Sequence, residues 1–156
     1  MRKGNQKKRK RMKIKIKNIQ KKVKIKNIRE LEKTVIQVLR SEGIKKAEIS
    51  ILLVDNKTIR RFNRKYRRID RATDVLAFSQ QEGKYSGLNP DLLGDIIISV
   101  DKARSQSRSY KQSFKKELEL YLIHGCLHLL GYGDTTERGR KRMQKKQERI
   151  LDKICG

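Results

Sequence analysis

The chain has 156 residues, and its 42 Lys and Arg against 17 Asp and Glu give a formal net charge of +25. That length suits one domain with an ordinary core. The charge points to a polyanionic partner without separating RNA from DNA or an anionic membrane surface. Cys126 and Cys155 are too few and too far apart for a disulfide framework or a thiolate zinc site, and no apolar run is long enough for a signal peptide or a membrane span. A cytoplasmic protein is therefore expected.

Residues 1–11 are almost wholly basic and polar, which predicts a disordered tail followed by a single domain over 12–156. The tail reads either as a tether for nucleic acid or as a segment ahead of a translation start at Met12. From Met12 to Ile19 polar and apolar residues alternate, the period of a strand with one wet face. Ile28, Leu31, Val35, Ile36 and Leu39 then recur at helical spacing and stop at Gly43. Ala47 to Val54 is a β-branched apolar run that suits a buried strand, and Asp55-Asn56 can cap a short helix carrying Ile59, Phe62 and Tyr66. A third strand is expected over Thr73–Phe78, a loop over Gln80–Leu92 and a fourth strand over Gly94–Val100. Asp101 can cap a helix across Lys102–Tyr110, a further helix runs from about Ser113 to Leu130, and Thr136–Ile154 forms a terminal helix with Met143, Gln147, Ile150 and Leu151 on one stripe. This order predicts an α+β fold, a small sheet covered by about five helices.

The chemistry concentrates where the helix ending at Leu130 closes. His124 and His128, the only histidines, lie four apart and so share a helix face, where two imidazoles can aim at one point. Gly131 can take the positive φ that ends the helix at C′, and Asp134 follows. The spacing His-x-x-x-His-x-x-Gly-x-x-Asp is metzincin-like, but Gly125 stands where a zinc protease has its glutamate base and Asp134 stands where it has a third histidine. Two imidazoles and a carboxylate are an ordinary zinc donor set. Glu117, Tyr121, His124 and His128 fall on one stripe whose end must open to a cleft, with Leu118, Leu122 and Leu129 facing the core and Cys126 on another face.

His124-Gly-Cys-Leu-His128-Leu-Leu-Gly-Tyr132 resembles the signature of the YbeY family, bacterial endoribonucleases that mature ribosomal RNA. Where that family has Asp-His after the tyrosine, this chain has Gly133-Asp134. Two further stretches are similar to the family's other signatures: Asn63 to Phe78, with Tyr66, Arg67, Asp70, Thr73, Asp74, Val75 and Leu76, and Leu93 to Ser99, with Gly94, Asp95, Ile96 and Ile98. The resemblance implies a mixed four-stranded sheet with the site helix packed on it, one zinc per chain on His124, His128 and Asp134, and ribosomal RNA and the ribosome as partners. It also implies action at the 3′ end of the small-subunit RNA and in ribosome quality control. Arg67 is the expected cation beside the developing phosphorane because the signature carries an arginine there, a choice that spacing alone does not make over Arg64 or Arg68. Asp74 and Asp95 are expected to fix loops or strand ends. The alternatives are a non-catalytic RNA- or ribosome-binding assembly factor with a structural metal, and a metalloprotease drawing its glutamate from elsewhere, such as Glu137.

Overall fold

Alternation becomes strand and the 3.6-residue stripes become helix along the whole described chain, residues 12–81 and 88–155 of a computed structural model. The elements are β1 (Met12–Asn18), α1 (Ile28–Ser41), β2 (Ala47–Val54), α2 (Asn56–Arg67), β3 (Val75–Ser79), β4 (Leu92–Ser99), α3 (Val100–Ser109), α4 (Phe114–Leu129) and α5 (Glu137–Cys155). The basic tail expected at 1–11 and the middle of the loop expected at Gln80–Leu92 lie outside the described residues.

The strands form one mixed sheet in the order β1-β2-β4-β3, with β1, β2 and β4 parallel and β3 antiparallel to β4. The fold is α+β, as the order of elements predicted. On one face Ile49, Ile51, Leu53, Ile96 and Ile98 bury against Val35 and Leu39 of α1 and Leu122, Ile123 and Leu127 of α4, with Met143 and Ile150 of α5 closing the layer. A smaller cluster on the other face joins Val54, Leu76 and Ile97 to Ile59 of α2, with Phe62 and Phe78 at its margin.

Three boundaries move for local reasons. β4 starts at Leu92, which pairs with Glu48 ahead of a register shift; Gly94 sits there at φ +144, where a Cβ would lie 2.1 Å from the carbonyl oxygen of Phe78. Only glycine fits that bulge. α3 starts at Val100 because Ser99, not Asp101, is its N-cap: Ser99 Oγ accepts from Lys102 N, while Asp101 Oδ2 accepts from Asn56 N at the start of α2. β3 starts at Val75 because Asp74 Oδ1 accepts from Val75 N and turns the backbone at the strand entrance. Among the described residues no helix is long and apolar enough to cross a membrane.

Candidate metal centre

α4 begins where Ser113 Oγ accepts from Lys116 N, and then runs between the sheet and the other helices with side chains buried nearly all round. It can approach the sheet because of Gly125, whose added Cβ would meet Ile96 Cγ2 at 2.8 Å. The position that carries the general base in a zinc protease thus faces β4 and has no room for a side chain.

The last turn breaks the burial. His124 and His128 are partly exposed, and Gly131 at φ +98 reverses the chain while Tyr132 N donates back to Leu127 O. The reversal brings Asp134 to the histidines: His124 Nε2 and His128 Nε2 are 2.9 Å apart, and Asp134 Oδ2 lies 3.2 Å from His128 Nε2 and 3.7 Å from His124 Nε2. Among the described residues these three form the one such group able to hold a metal ion. A tetrahedral zinc with N and O donors at its usual bond lengths sets its ligand atoms about 3.4 Å apart, and the three separations bracket that value. The donor set and its spacing both fit the ion.

Two contacts from α5 hold the triangle. Gln147 places its side-chain amide 2.5 Å from His124 Nδ1. The near atom is the amide Nε2; with a cation on His124 Nε2, Nδ1 would carry the ring proton and the amide would turn its oxygen to accept it, fixing both tautomer and ring angle. One residue earlier, Lys146 Nζ pairs with Glu42 Oε1 at 3.0 Å, and Tyr132 Oη donates to Glu42 Oε2 at 2.9 Å. Glu42 ends α1, so the turn bearing Asp134 is tied to two helices. Burial, and then the neighbouring His128, hold the His124 imidazolium below its ordinary pKa, which keeps the ring neutral and able to bind a metal.

The triangle opens into a cleft of about 480 Å³ whose opposite wall is the edge of β3 and the loop after α2. Arg67 lies on that wall, its Nη2 donating to Ala77 O at 2.8 Å and its guanidinium over the Phe78 ring. Arg71 lines the cleft too, whereas Arg64 and Arg68 do not. The loop is fixed by Asn63, which is buried and donates to Arg71 O, and by Asp70, which accepts from Arg60 Nε and Nη2. Asp74 takes the local backbone partner expected of it but also borders the cleft; Asp95 is exposed on the other face of the sheet. Glu137 pairs with Lys141 at the start of α5 and does not line the cleft. Cys126 is fully buried and its thiol is pushed up to about 12, an inert core residue. Gln147 and Arg71 are the site residues that spacing did not single out. Gln147 read as one position on an apolar stripe, and Arg71 as one basic residue among many.

The family model "Endoribonuclease YbeY" matches residues 13–155. A Desulforamulus reducens endoribonuclease YbeY is 43% identical over 133 residues, spanning 82% of this chain and 87% of the relative. A Thermoanaerobacter endoribonuclease YbeY is 39% identical over 155 residues, 92% and 98% of the two chains. The solution structure of a Thermotoga maritima protein superposes with a TM-score of 0.62 at 27% identity, covering 90% of this chain and 88% of that one.

Proposed function

Because the chain belongs to the YbeY endoribonuclease family, we propose that it is a zinc-dependent hydrolase of single-stranded RNA, with one zinc per chain on His124, His128 and Asp134. On this reading it acts in the cytoplasm on ribosomal RNA, maturing the 3′ end of the 16S species and serving ribosome quality control. The observation that supports the metal role is that, among the described residues, three groups able to bind a metal meet, and that they do so in an open cleft. Structural zinc sites are closed by four ligands, whereas catalytic ones leave a position for water or substrate.

When bound, the ion supplies Lewis-acid polarisation of a phosphoryl oxygen and a water of lowered pKa. The chain's own residues do the rest. Arg67 lines the opposite wall, anchored by Nη2 on Ala77 O, and the other N–H donors of its planar fork would serve the charge that builds on phosphorus. Arg71 adds a second cation along the same wall. Asp134 neutralises part of the cation's charge, and Gln147 keeps His124 in the tautomer that binds. With Gly125 closed against Ile96 and Glu137 outside the cleft, no glutamate among the described residues lines the cleft as a base for peptide hydrolysis.

The test is elemental analysis of the purified protein beside Asp134→Ala and His128→Ala. One equivalent of zinc in the wild type, lost in both variants that still fold, is the expected result. A folded wild type purified without chelator that carries no metal would instead leave an RNA-binding assembly factor as the reading.

A further inference from the structure

The metal cleft uses one face of the sheet, and the other face is only half covered. Residues paired across neighbouring strands point the same way. The register therefore sets Lys15, Ser50, Asp95 and Phe78 in one row and Lys17, Leu52, Ile97 and Leu76 in the next. α2 covers the second row, in which Ile97 and Leu76 are buried against Ile59. The first row stays open, with Lys15 and Asp95 exposed.

An aromatic corner closes its β3 end. Phe62 and Tyr66 stack at 6.1 Å with 16° between planes, and Phe78 meets Tyr66 edge-on at 5.4 Å. Tyr66 is nevertheless 54% exposed, so much of its ring remains uncovered. The groove there holds about 390 Å³ and is lined by Ser50, Tyr66, Phe78, Gln80 and Asp95. Its rim is basic: Lys65 Nζ stands 5.2 Å from the Tyr66 ring, and Lys13, Lys15 and Lys17 project from β1 on the same face. Arg67 crosses the edge of β3, stacked at 5.3 Å on Phe78 on the groove side and bonded to Ala77 O beside the metal cleft. One side chain thus borders both.

We infer that this groove is a subsite for an unpaired nucleobase of the RNA strand whose phosphate sits in the metal cleft, stacked on Tyr66 and Phe78 with neighbouring phosphates on Lys65 and the β1 lysines. Aromatic faces ringed by cations are how single-stranded nucleic acid is held without sequence readout. Gln80 and Asp95 at the floor offer partners to a base edge. Among the described residues the four lysines Lys13, Lys15, Lys17 and Lys65 face two carboxylates, Asp95 and the Glu48 paired with Lys13, an excess of cations that favours a polyanion over a peptide. This subsite rests on the nuclease reading, because its occupant is the strand that the metal cleft cuts.

The test is fluorescence anisotropy of the metal-loaded protein with a labelled phosphorothioate octauridylate, and with a series of the same oligonucleotide each carrying one abasic position. Tyr66→Ala and Tyr66→Leu, the second keeping bulk against Phe62, weaken binding about tenfold, and Tyr66→Phe stays within about twofold of wild type. One abasic position weakens the wild type by a similar factor and adds nothing to Tyr66→Leu. Unchanged binding by Tyr66→Leu, or the same abasic penalties in both proteins, would overturn the subsite and leave the groove to a peptide or to no ligand. Cleavage of unmodified RNA is followed in parallel. A protein that cuts RNA but is indifferent to Tyr66 loses the subsite alone. One that binds through Tyr66 yet does not cut with zinc present loses the nuclease reading alone.

Discussion

In the proposed centre the two nitrogens of His124 have separate tasks, Nε2 toward a metal and Nδ1 toward Gln147, and the second can be removed without touching the first. Gln147→Leu is expected to weaken zinc binding about 10- to 100-fold while the melting temperature of the metal-free protein stays close to wild type, as calorimetric metal titration would show. Arg67→Ala should lower kcat by about 100- to 1,000-fold with a much smaller change in KM if, as proposed, it serves charge that develops only during reaction. At the inner end of the same stripe Glu117 is buried, and burial raises its carboxyl pKa above the ordinary 4.5. The folded state then binds its proton more tightly than the unfolded state, so ionised Glu117 destabilises the fold at neutral pH, and this penalty disappears as pH falls below that ordinary value. Glu117→Gln is expected to melt higher than wild type at pH 7, with the difference shrinking toward pH 4; a constant difference across that range would contradict it. That His124, His128 and Asp134 would meet was legible in the sequence because one helix and one turn set their spacing. Gln147 was not, because its meaning depends on how α5 lies across α4, and the stripe Met143, Gln147, Ile150 gives a helix face without saying what that face meets.

At the scale of elements, α4 depends on a close approach to β4 at one position. Gly125→Ala puts a Cβ 2.8 Å from Ile96 Cγ2, and moving either backbone should cost about 1–3 kcal/mol, read from denaturant midpoints. The turn after α4 depends on Tyr132, Glu42 and Lys146. Tyr132→Phe should lose about 1 kcal/mol and loosen metal binding through Asp134, which a denaturant series with and without zinc would separate. Element types followed from periodicity because burial on one face imposes it, as in Ile14 and Ile16 of β1. Boundaries followed less well where two polar residues competed for one role: Ser99 and Asp101 both suit an N-cap, and the partner Asn56, 45 positions from Asp101, decides between them. The strand order was not legible: β1 alternates lysine with isoleucine while β2 and β4 are mostly apolar, and nothing local says which neighbours which.

For the whole molecule, the proposed account gives affinity to the excess of cations and chemistry to the metal, and the two should separate experimentally. RNA binding is expected to weaken with salt, with a slope of about −2 in log K against log salt if three phosphates are neutralised. The sign of the partner was readable from composition alone, but the place proposed for it depends on the sheet, which sets the β1 lysines on one open face and Arg67 at the β3 edge. The most direct measurement is cleavage of a single-stranded RNA oligonucleotide by chelator-stripped protein as zinc is returned in fractions of an equivalent, with Asp134→Ala alongside. Activity is predicted to be absent without metal, to rise linearly to one equivalent and then level off, and to stay at background in the variant. Undiminished cleavage by the stripped protein, or an identical titration curve from Asp134→Ala, would contradict a reaction centred on His124, His128 and Asp134.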